Sequence, residues 1–531
     1  MSFVSYSFVA FVLLCLLLYY ILPQKFRWVI LLLSSYIFYF LACNKYILYV
    51  MLTTVTTYFA GLGISNNLNK QKEYLKEHKQ NLTKEDKKAY KAKMKKQQKT
   101  ILVLCLLLNF GILAFIKYAN FVIANINWFR LTAFQNTNYF NFYHLILPLG
   151  ISFYTFQSMG YLIDIYYGKY EGERHFGKIS LFISFFPQII QGPISRYDQI
   201  GNQLFEGHKF NWDNIICGFY QIMWGLFKKL VIADRVAVYV GNTVASYKDL
   251  DGSYILLAIF FYSMQIYGDF SGGIDITLGV ARMFGIEMPA NFERPFFSKS
   301  VAEYWRRWHI TLGTWFKDYI FYPLSIAKWT IHFGKWIRNH INDTLGKKVP
   351  IYISMFIVWF TTGLWHGAEW RYIVWGLLNC VILCISTELE PLYKIVNERL
   401  PFRQGGTVQK VFRIVRTFWI MAFLRVFDIA SGGVKEALSI MRGVFHNFFS
   451  INLATIESLG LPLQELEVAV VACFIVFSIS MLQRKGSIRK RIMNTKLPVR
   501  WAIMTALVLG VVIYGSYGMG YDARSFIYLQ F

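Results

Sequence analysis

The sequence predicts an all-α protein whose helices cross a membrane many times. Hydrophobic residues make up 55% of the 531 residues, charged residues make up only 16%, and the mean hydropathy is +0.38. Soluble proteins carry about 25% charged residues on average. Aromatic residues reach 18%, as expected for helices packed in lipid with rings at the membrane interface. This composition excludes a disordered or fibrous protein and argues against an ordinary soluble enzyme.

Runs of mainly apolar residues mark the predicted spans, because a helix needs about 20 such residues to cross a bilayer. The runs lie at 3–22, 28–42, 46–64, 101–126, 145–167, 215–240, 254–267, 350–365, 372–386, 412–427, 468–482 and 502–517. Several are shorter than a full span, which predicts tilted, broken or re-entrant helices around a protein-lined cavity. We expect breaks in three stretches interrupted by Gly, Pro and charged residues, at 182–202, 268–295 and 298–323.

The basic residues indicate how the chain lies in the membrane. The formal net charge is +25, and most Lys and Arg residues stand between apolar runs, where they set topology and meet anionic headgroups. This distribution predicts membrane lipids as partners and no nucleic acid. The seven cysteines lie in or beside apolar runs and form no CxxC pair, so neither a disulfide framework nor a metal site is predicted.

The charge of the loops predicts a topology. Segment 70–99 carries twelve Lys against four acidic residues and is predicted to be a basic cytoplasmic loop within a single membrane-embedded domain over residues 1–531. Short loops rich in Lys and Arg stay cytoplasmic. Counting spans back from this segment places the N-terminus outside. Independently of that count, the charge of the acid-free basic stretch 484–500 predicts that it is inside, and the charge of the acidic stretch 428–467 predicts that it is outside.

Two histidines stand in unusual surroundings. His309 ends the block Tyr-Trp-Arg-Arg-Trp-His, and His366 lies in Gly-Leu-Trp-His-Gly at the end of an uncharged apolar run. A lone buried histidine is more often a hydrogen-bonded core residue, but ionisable residues in membrane segments are usually functional. The unperturbed pKa of histidine, about 6.5, suits general-base catalysis near neutral pH. We expect Gly367 to leave room for a substrate beside the His366 imidazole.

Several motifs follow one another in a specific order. They are 147–157, Phe185-Phe-Pro-Gln188 with Gly192-Pro193, Asp269-Phe-Ser-Gly272 with Asp275, Asn291-Phe292 with Arg294-Pro295, the two histidine blocks, and the C-terminal 526–531. With this ordered set the sequence resembles the membrane-bound O-acyltransferase family in its bacterial branch, and it is most similar to the alginate-type acetyltransferases. One departure is Asn379-Cys380, which stands where the family often has His-Gly.

The resemblance implies both an architecture and a reaction. The architecture is a ring of about 11–13 transmembrane helices, with broken helices around a central funnel, in the bacterial cytoplasmic membrane. The reaction is transfer of an acyl group, acetyl by default, to a hydroxyl of an extracytoplasmic polysaccharide or to a partner transferase. The donor would be a cytoplasmic thioester, either acyl-CoA or an acyl carrier protein. No bound cofactor and no metal are implied.

The resemblance also suggests roles for particular residues. His366 is the catalytic base, and His309 is the second family histidine, which acts directly or positions a substrate. The residues expected along the substrate tunnel are Trp305, Trp308, Trp365, Asp269 and Asp318. The residues expected to bind donor phosphates are Arg306, Arg307 and Lys317, although a basic cytoplasmic face alone accounts for them nearly as well.

A transporter or flippase for a polysaccharide or lipid-linked sugar is the main alternative, and a scaffold for polysaccharide export is a third. Broken helices and a basic cytoplasmic face suit a transporter too. Transporters, however, usually contain internal repeats with paired broken segments, and none stands out in this sequence. Substitution of His366 distinguishes these classes, because a transporter or scaffold should continue to export the polymer.

Overall fold

The computed structural model confirms an all-α membrane protein. It describes residues 3–135, 137, 139–399, 406–448, 450–517 and 526, so most of the C-terminal motif 526–531 lies outside the described residues. Within the described part, the chain forms helices and no strand. Among the residues described, one isolated antiparallel bridge is present, and it joins Phe292 and Trp308.

Seven helical segments among the described residues are long and apolar enough to cross a membrane. They are Gln24–Glu77, Lys84–Phe134, Trp212–Ala245, Asp343–His366, Trp370–Glu388, Leu463–Lys485 and Leu497–Tyr514. This number is lower than the expected 11–13 because the segment Gln24–Glu77 contains two helices, the 32-residue helix Gly252–Met283 is not among the seven, and several apolar runs form shorter helices. The runs at 3–22 and 145–167, for example, contain helices of only 16 residues, Tyr6–Ile21 and Ile151–Tyr166. The chain is therefore a multi-pass membrane protein with several helices shorter than a full span.

Contacts divide the chain into two compact units, and the first comprises residues 1–214 and 280–289. Its helices are α1 (Tyr6–Ile21), α2 (Arg27–Cys43), α3 (Ile47–Glu77), α4 (Lys84–Phe134), α5 (Ile151–Tyr166), α6 (Phe176–Ser184), α7 (Phe186–Ile189) and α8 (Tyr197–Glu206). The stretch 182–202 is broken, as predicted, between α6, α7 and α8. Segment 70–99 forms a helical hairpin, in which Thr83 caps the start of α4 through a reciprocal hydrogen-bonded pair with Asp86.

The second unit comprises residues 215–279 and 290–531 and contains both candidate histidines. The helices that begin in or extend into this unit are α9 (Trp212–Leu226), α10 (Asp234–Ala245), α11 (Gly252–Met283), α12 (Val301–Arg307), α13 (Ile310–Phe316), α14 (Tyr322–Ser325), α15 (Lys328–His340), α16 (Asp343–His366), α17 (Trp370–Glu388), α18 (Glu390–Arg399), α19 (Thr407–Leu424), α20 (Val426–Ile429), α21 (Val434–Gly443), α22 (Leu453–Ser458), α23 (Leu463–Leu482), α24 (Ile488–Met493) and α25 (Leu497–Tyr514). Two π-helical segments, Phe227–Ala233 and Lys317–Phe321, interrupt the regular α-helical geometry, a feature that is frequent at functional sites.

The expected break in 268–295 was wrong for its first half, because α11 continues without interruption to Met283. Its glycines are packing positions. A Cβ at Gly272 would lie 2.7 Å from the carbonyl oxygen of Gly225, and a Cβ at Gly279 would lie 2.6 Å from that of Gly218. Small residues allow two helices to approach this closely in a membrane. The glycines of α11 therefore bring α9 against it.

The break predicted in 298–323 is confirmed. Helix α12 ends at Arg307 and α13 begins at Ile310, whereas the π-helical segment Lys317–Phe321 joins α13 to α14 without a break. The chain turns between α12 and α13 at Trp308 and His309. This turn places one of the two candidate histidines.

Candidate active site

The turn that contains His309 is hydrogen-bonded to the segment before α12. The Ile310 backbone N–H donates to the Asn291 carbonyl oxygen at 3.0 Å, next to the bridge between Phe292 and Trp308. His309 itself has a φ of 46°, in the left-handed region. For a residue other than glycine this conformation costs on the order of 1–3 kcal/mol, and such residues cluster at functional sites.

A hydrogen-bond network fixes the tautomer of His309. The Asn291 side-chain oxygen accepts from the Thr311 backbone N–H at 3.0 Å, the Thr311 hydroxyl at 2.9 Å and His309 Nδ1 at 3.1 Å. A backbone N–H only donates, so this Asn291 atom is the acceptor and Nδ1 of His309 carries the hydrogen. In a neutral imidazole the lone pair is then on Nε2.

Burial keeps the His309 imidazole neutral. The residue is 4% exposed and lies outside the seven candidate spans. Removal from water lowers its pKa to about 3, because burial penalises the charged form. General-base catalysis works best with a pKa near the operating pH. A neutral imidazole with its hydrogen on Nδ1 can accept a hydrogen bond at Nε2.

The second histidine, His366, is the last residue of α16 and is also buried. Its ring centroid lies 4.5 Å from that of Trp375. The Trp365 ring contacts both histidines, with centroid distances of 5.1 Å to His366 and 5.6 Å to His309. The two histidines, 57 positions apart in the sequence, thus belong to one aromatic cluster.

Gly367 does not provide the space that was expected beside His366. A Cβ at Gly367 would overlap the ring of Tyr372, and a Cβ at Gly363 would lie 2.5 Å from the Tyr372 carbonyl oxygen. The Tyr372 ring also lies nearly parallel to the His366 imidazole, at 6.3 Å. The two glycines therefore allow α16 and α17 to pack tightly, which fixes the backbone on both sides of His366.

Trp305 belongs to the same cluster, on the His366 side. Its indole N–H donates to the Asn379 side-chain oxygen at 3.0 Å, and its ring lies 5.7 Å from Trp375. Asn379 is the first residue of the Asn-Cys pair noted in the sequence as a departure from the resemblance. In this chain its amide holds Trp305 in place.

Trp308 is held by a buried arginine. The Arg425 guanidinium lies 4.0 Å from the Trp308 ring centroid and donates to the Tyr304 hydroxyl at 2.8 Å. The Nη1 atom of the same guanidinium lies 3.4 Å from the Asp428 carboxylate oxygen Oδ2. A cation over an indole face is attractive, and more so when water is excluded. Arg425 therefore fixes the residue that immediately precedes His309.

The charged residues predicted for the tunnel and the donor site differ in their burial and in whether they form ion pairs. Asp269 is buried in an ion pair with Lys229 at 2.6 Å. Arg307 pairs with Glu303 at 2.7 Å within α12. Of the remaining three, Arg306 and Lys317 are exposed and Asp318 is half-buried.

Sequence reasoning missed several residues that shape this site. The sequence singled out Asn291 only as part of a motif. A separation of 18 positions does not indicate that its side chain contacts His309. Lys228 and Lys229 carried a usable signal, since two adjacent lysines inside an apolar run are costly unless they are paired. They pair with Asp275 at 2.7 Å and Asp269 at 2.6 Å.

The fold and the site together define a polytopic membrane protein with two buried histidines in one aromatic cluster. Comparison with known proteins is consistent with this. The model of the membrane-bound O-acyltransferase family matches residues 174–328 and 325–427. The probable alginate O-acetylase AlgI of Azotobacter vinelandii is 31% identical over 409 residues, which cover 77% of this chain and 70% of that protein. The chain therefore belongs to the membrane-bound O-acyltransferase family.

Two further relatives show the range of names within this similarity. The probable alginate O-acetylase AlgI of Pseudomonas syringae pv. tomato is 32% identical over 369 residues, covering 70% of this chain and 62% of that protein. The peptidoglycan O-acetyltransferase of Helicobacter pylori is 30% identical over 369 residues, covering 65% and 64%. The chain thus spans just under two thirds of the length of these two relatives.

Proposed function

We propose that this protein is an O-acyltransferase of a bacterial cytoplasmic membrane. It moves an acyl group, acetyl by default, from a thioester offered on the cytoplasmic side to a hydroxyl on the other side. The acceptor is a polysaccharide or a partner transferase that passes the group on. The observation that carries the proposal is the cluster in which Trp365 touches both His309 and His366. The names of the relatives support the reaction class and a polymer acceptor.

In this mechanism His366 is the general base. It takes the proton of the acceptor hydroxyl as the oxygen attacks the thioester carbonyl carbon. A C–O bond forms, the tetrahedral intermediate collapses, and the C–S bond breaks. The thiolate leaves and takes the proton from the His366 imidazolium. A positioned general base typically contributes about 10²–10⁴-fold to the rate.

His309 positions the substrate rather than exchanging protons. With its hydrogen fixed on Nδ1 by Asn291, its Nε2 accepts a hydrogen bond from a second donor group of the substrate. The Asn291 side-chain N–H₂ is buried and has no acceptor among the described residues. A buried unsatisfied donor is costly, and here it is placed to donate to the substrate or to the developing oxyanion.

The predicted topology brings the donor to the inner face, with the N-terminus outside and both basic segments, 70–99 and 484–500, in the cytoplasm. The phosphates of acyl-CoA, or of the arm of a carrier protein, then bind to Arg306, Arg307 and Lys317. The residues assigned to the substrate tunnel are Trp305, Trp308, Trp365, Asp269 and Asp318.

Mass spectrometry of cell-surface polymer from a deletion strain tests the function. We expect loss of O-linked acyl groups, released by mild alkali, with polymer still exported and with restoration by the intact gene. Loss of export with acylation of the remaining polymer unchanged would instead identify a transporter.

A further inference from the structure

The second unit contains a cavity of about 800 Å³ that the proposed reaction does not use. Helix α9 with its π-helical continuation forms one wall, and α23 and α25 form the others. Its lining is mostly apolar and includes Trp224, Phe227, Val471, Ile475, Ala506 and Leu507. Neither histidine is among the described lining residues. Its volume lies within the range of about 300–1,000 Å³ that is typical of ligand sites.

The cavity follows the membrane-spanning helices and opens toward lipid. Its lining residues on α23 and immediately after it run from Glu467 to Gln483, about 24 Å along the axis at 1.5 Å per residue. One leaflet of the hydrocarbon core is about 15 Å thick, so the cavity is long enough for a lipid chain. Val471 and Ala506 line it and are surface-exposed, so it is accessible from the bilayer.

Polar groups line only part of the cavity, and its acidic lining residues are Asp275, Glu293 and Glu467. Glu467 lies on α23 about 24 Å from Gln483, and so at the opposite end of the cavity from Arg489. Arg294 and Arg489 are lining residues. The carboxylate of Asp275, also a lining residue, is neutralised by Lys228 at 2.7 Å and by a hydrogen bond from Gln221 at 2.9 Å. Exposed Glu293 partly offsets the two arginines, but Arg489 belongs to stretch 484–500, which has seven basic residues and no acidic residue.

We propose that this cavity binds one membrane phospholipid with an anionic headgroup. One acyl chain lies against α23 and α25, and the phosphate meets Arg489 and Arg294. Basic pockets between membrane helices recognise anionic headgroups in this way. The proposal is independent of the acyl-transfer chemistry.

Substitutions on α25 test the apolar part of the site. An added Cβ at Gly510 meets open space in the cavity, so Gly510→Leu fills it without a backbone clash, and Ala506→Trp fills more of it. Leu509 is exposed but does not line the cavity, so Leu509→Trp is the matched control. The proteins are reconstituted in nanodiscs of equal phosphatidylglycerol and phosphatidylethanolamine. Native mass spectrometry then counts the lipids that remain bound.

Substitutions on α24 test the headgroup. Arg489→Glu changes a lining residue, whereas Lys490→Glu makes the same charge change next to it, outside the cavity. Loss of one basic contact lowers the affinity for an anionic lipid about five-fold, so we expect Arg489→Glu to reduce retained phosphatidylglycerol by at least that factor.

The expected result is retention of phosphatidylglycerol over phosphatidylethanolamine in the wild type, Leu509→Trp and Lys490→Glu proteins, and its loss in Gly510→Leu, Ala506→Trp and Arg489→Glu. Three outcomes overturn the proposal. They are equal retention of both lipids by the wild type, unchanged retention in Gly510→Leu, or equal losses in Arg489→Glu and Lys490→Glu, which would indicate surface charge alone.

Discussion

Asn291 shows how single residues determine what the candidate site can do. One oxygen atom receives three hydrogen bonds and sets the tautomer of His309. The two histidines could be singled out as candidates from the sequence, because ionisable residues within apolar segments stand out. The role of Asn291 was not predictable, because it depends on a bridge between Phe292 and Trp308 that no spacing reveals.

Replacing Asn291 should therefore impair transfer through His309. Asn291→Ala removes the acceptor for Nδ1–H, and we expect up to about a ten-fold lower rate, the value of one lost hydrogen bond. Asn291→Asp keeps an acceptor and should recover part of the rate. Thr311→Val removes only the hydroxyl donor and should leave the rate within a few-fold of wild type. Transfer is measured in membrane vesicles, and equal rates for Asn291→Ala and Asn291→Asp would contradict this role.

Arg425 is expected to contribute mainly to stability. Arg425→Met leaves the Asp428 carboxylate buried without its guanidinium, and breaking a buried ion pair costs about 3–5 kcal/mol. The double substitution Arg425→Met with Asp428→Asn removes the stranded charge and should recover part of the loss. Melting temperatures of the purified proteins measure this, and a double variant no more stable than the single one would speak against the ion pair.

At the scale of helices, the same sequence signal, Gly with Pro and charged residues, predicted a helix break correctly before α13 and wrongly within α11. Gly, Pro and charged residues correctly predicted a break in 298–323, which lies between α12 and α13. In α11 the glycines were mistaken for a break, because a sequence does not show whether a neighbouring backbone needs the space. The contact partners, Gly218 and Gly225, lie more than 40 positions away on α9.

Gly272→Ala should destabilise the contact between α9 and α11. Its methyl group would lie 2.7 Å from the Gly225 carbonyl oxygen, and overpacking of this kind costs about 1–3 kcal/mol. Gly241→Ala on α10 meets nothing within 4 Å and should be neutral or slightly stabilising. The melting temperatures of the two variants are the measurement, and equal values would mean that the helices relax around the added methyl group.

For the molecule as a whole, composition and loop charge were sufficient to predict an all-α, multi-pass membrane protein. The number of 11–13 spans stays a prediction, because length and apolar composition count Gln24–Glu77 once although it contains both α2 and α3. The topology prediction depends on the basic hairpin 70–99 and the basic stretch 484–500. Both are predicted to be cytoplasmic because short basic loops remain on that side.

Cysteine labelling in intact cells tests this topology. Lys84→Cys and Lys490→Cys should resist an impermeant thiol reagent until the cells are permeabilised, whereas Ser431→Cys, exposed within 428–467, should be labelled at once. The wild type, with its native cysteines in or beside apolar runs, is the control. Labelling of Lys84→Cys or Lys490→Cys in intact cells would reverse the assignment of that loop.

The central claim is that this chain transfers acyl groups with His366 as the base and His309 as a positioning residue. Its decisive measurement is acyl transfer from a thioester donor to polymer by the His366→Gln and His309→Gln proteins, with membrane levels matched by immunoblot. Glutamine forms hydrogen bonds but does not take up a proton at neutral pH. We predict no transfer above background for His366→Gln and reduced but measurable transfer for His309→Gln. Normal transfer by His366→Gln would contradict the mechanism, and equal loss in both variants would show that His309 exchanges protons too.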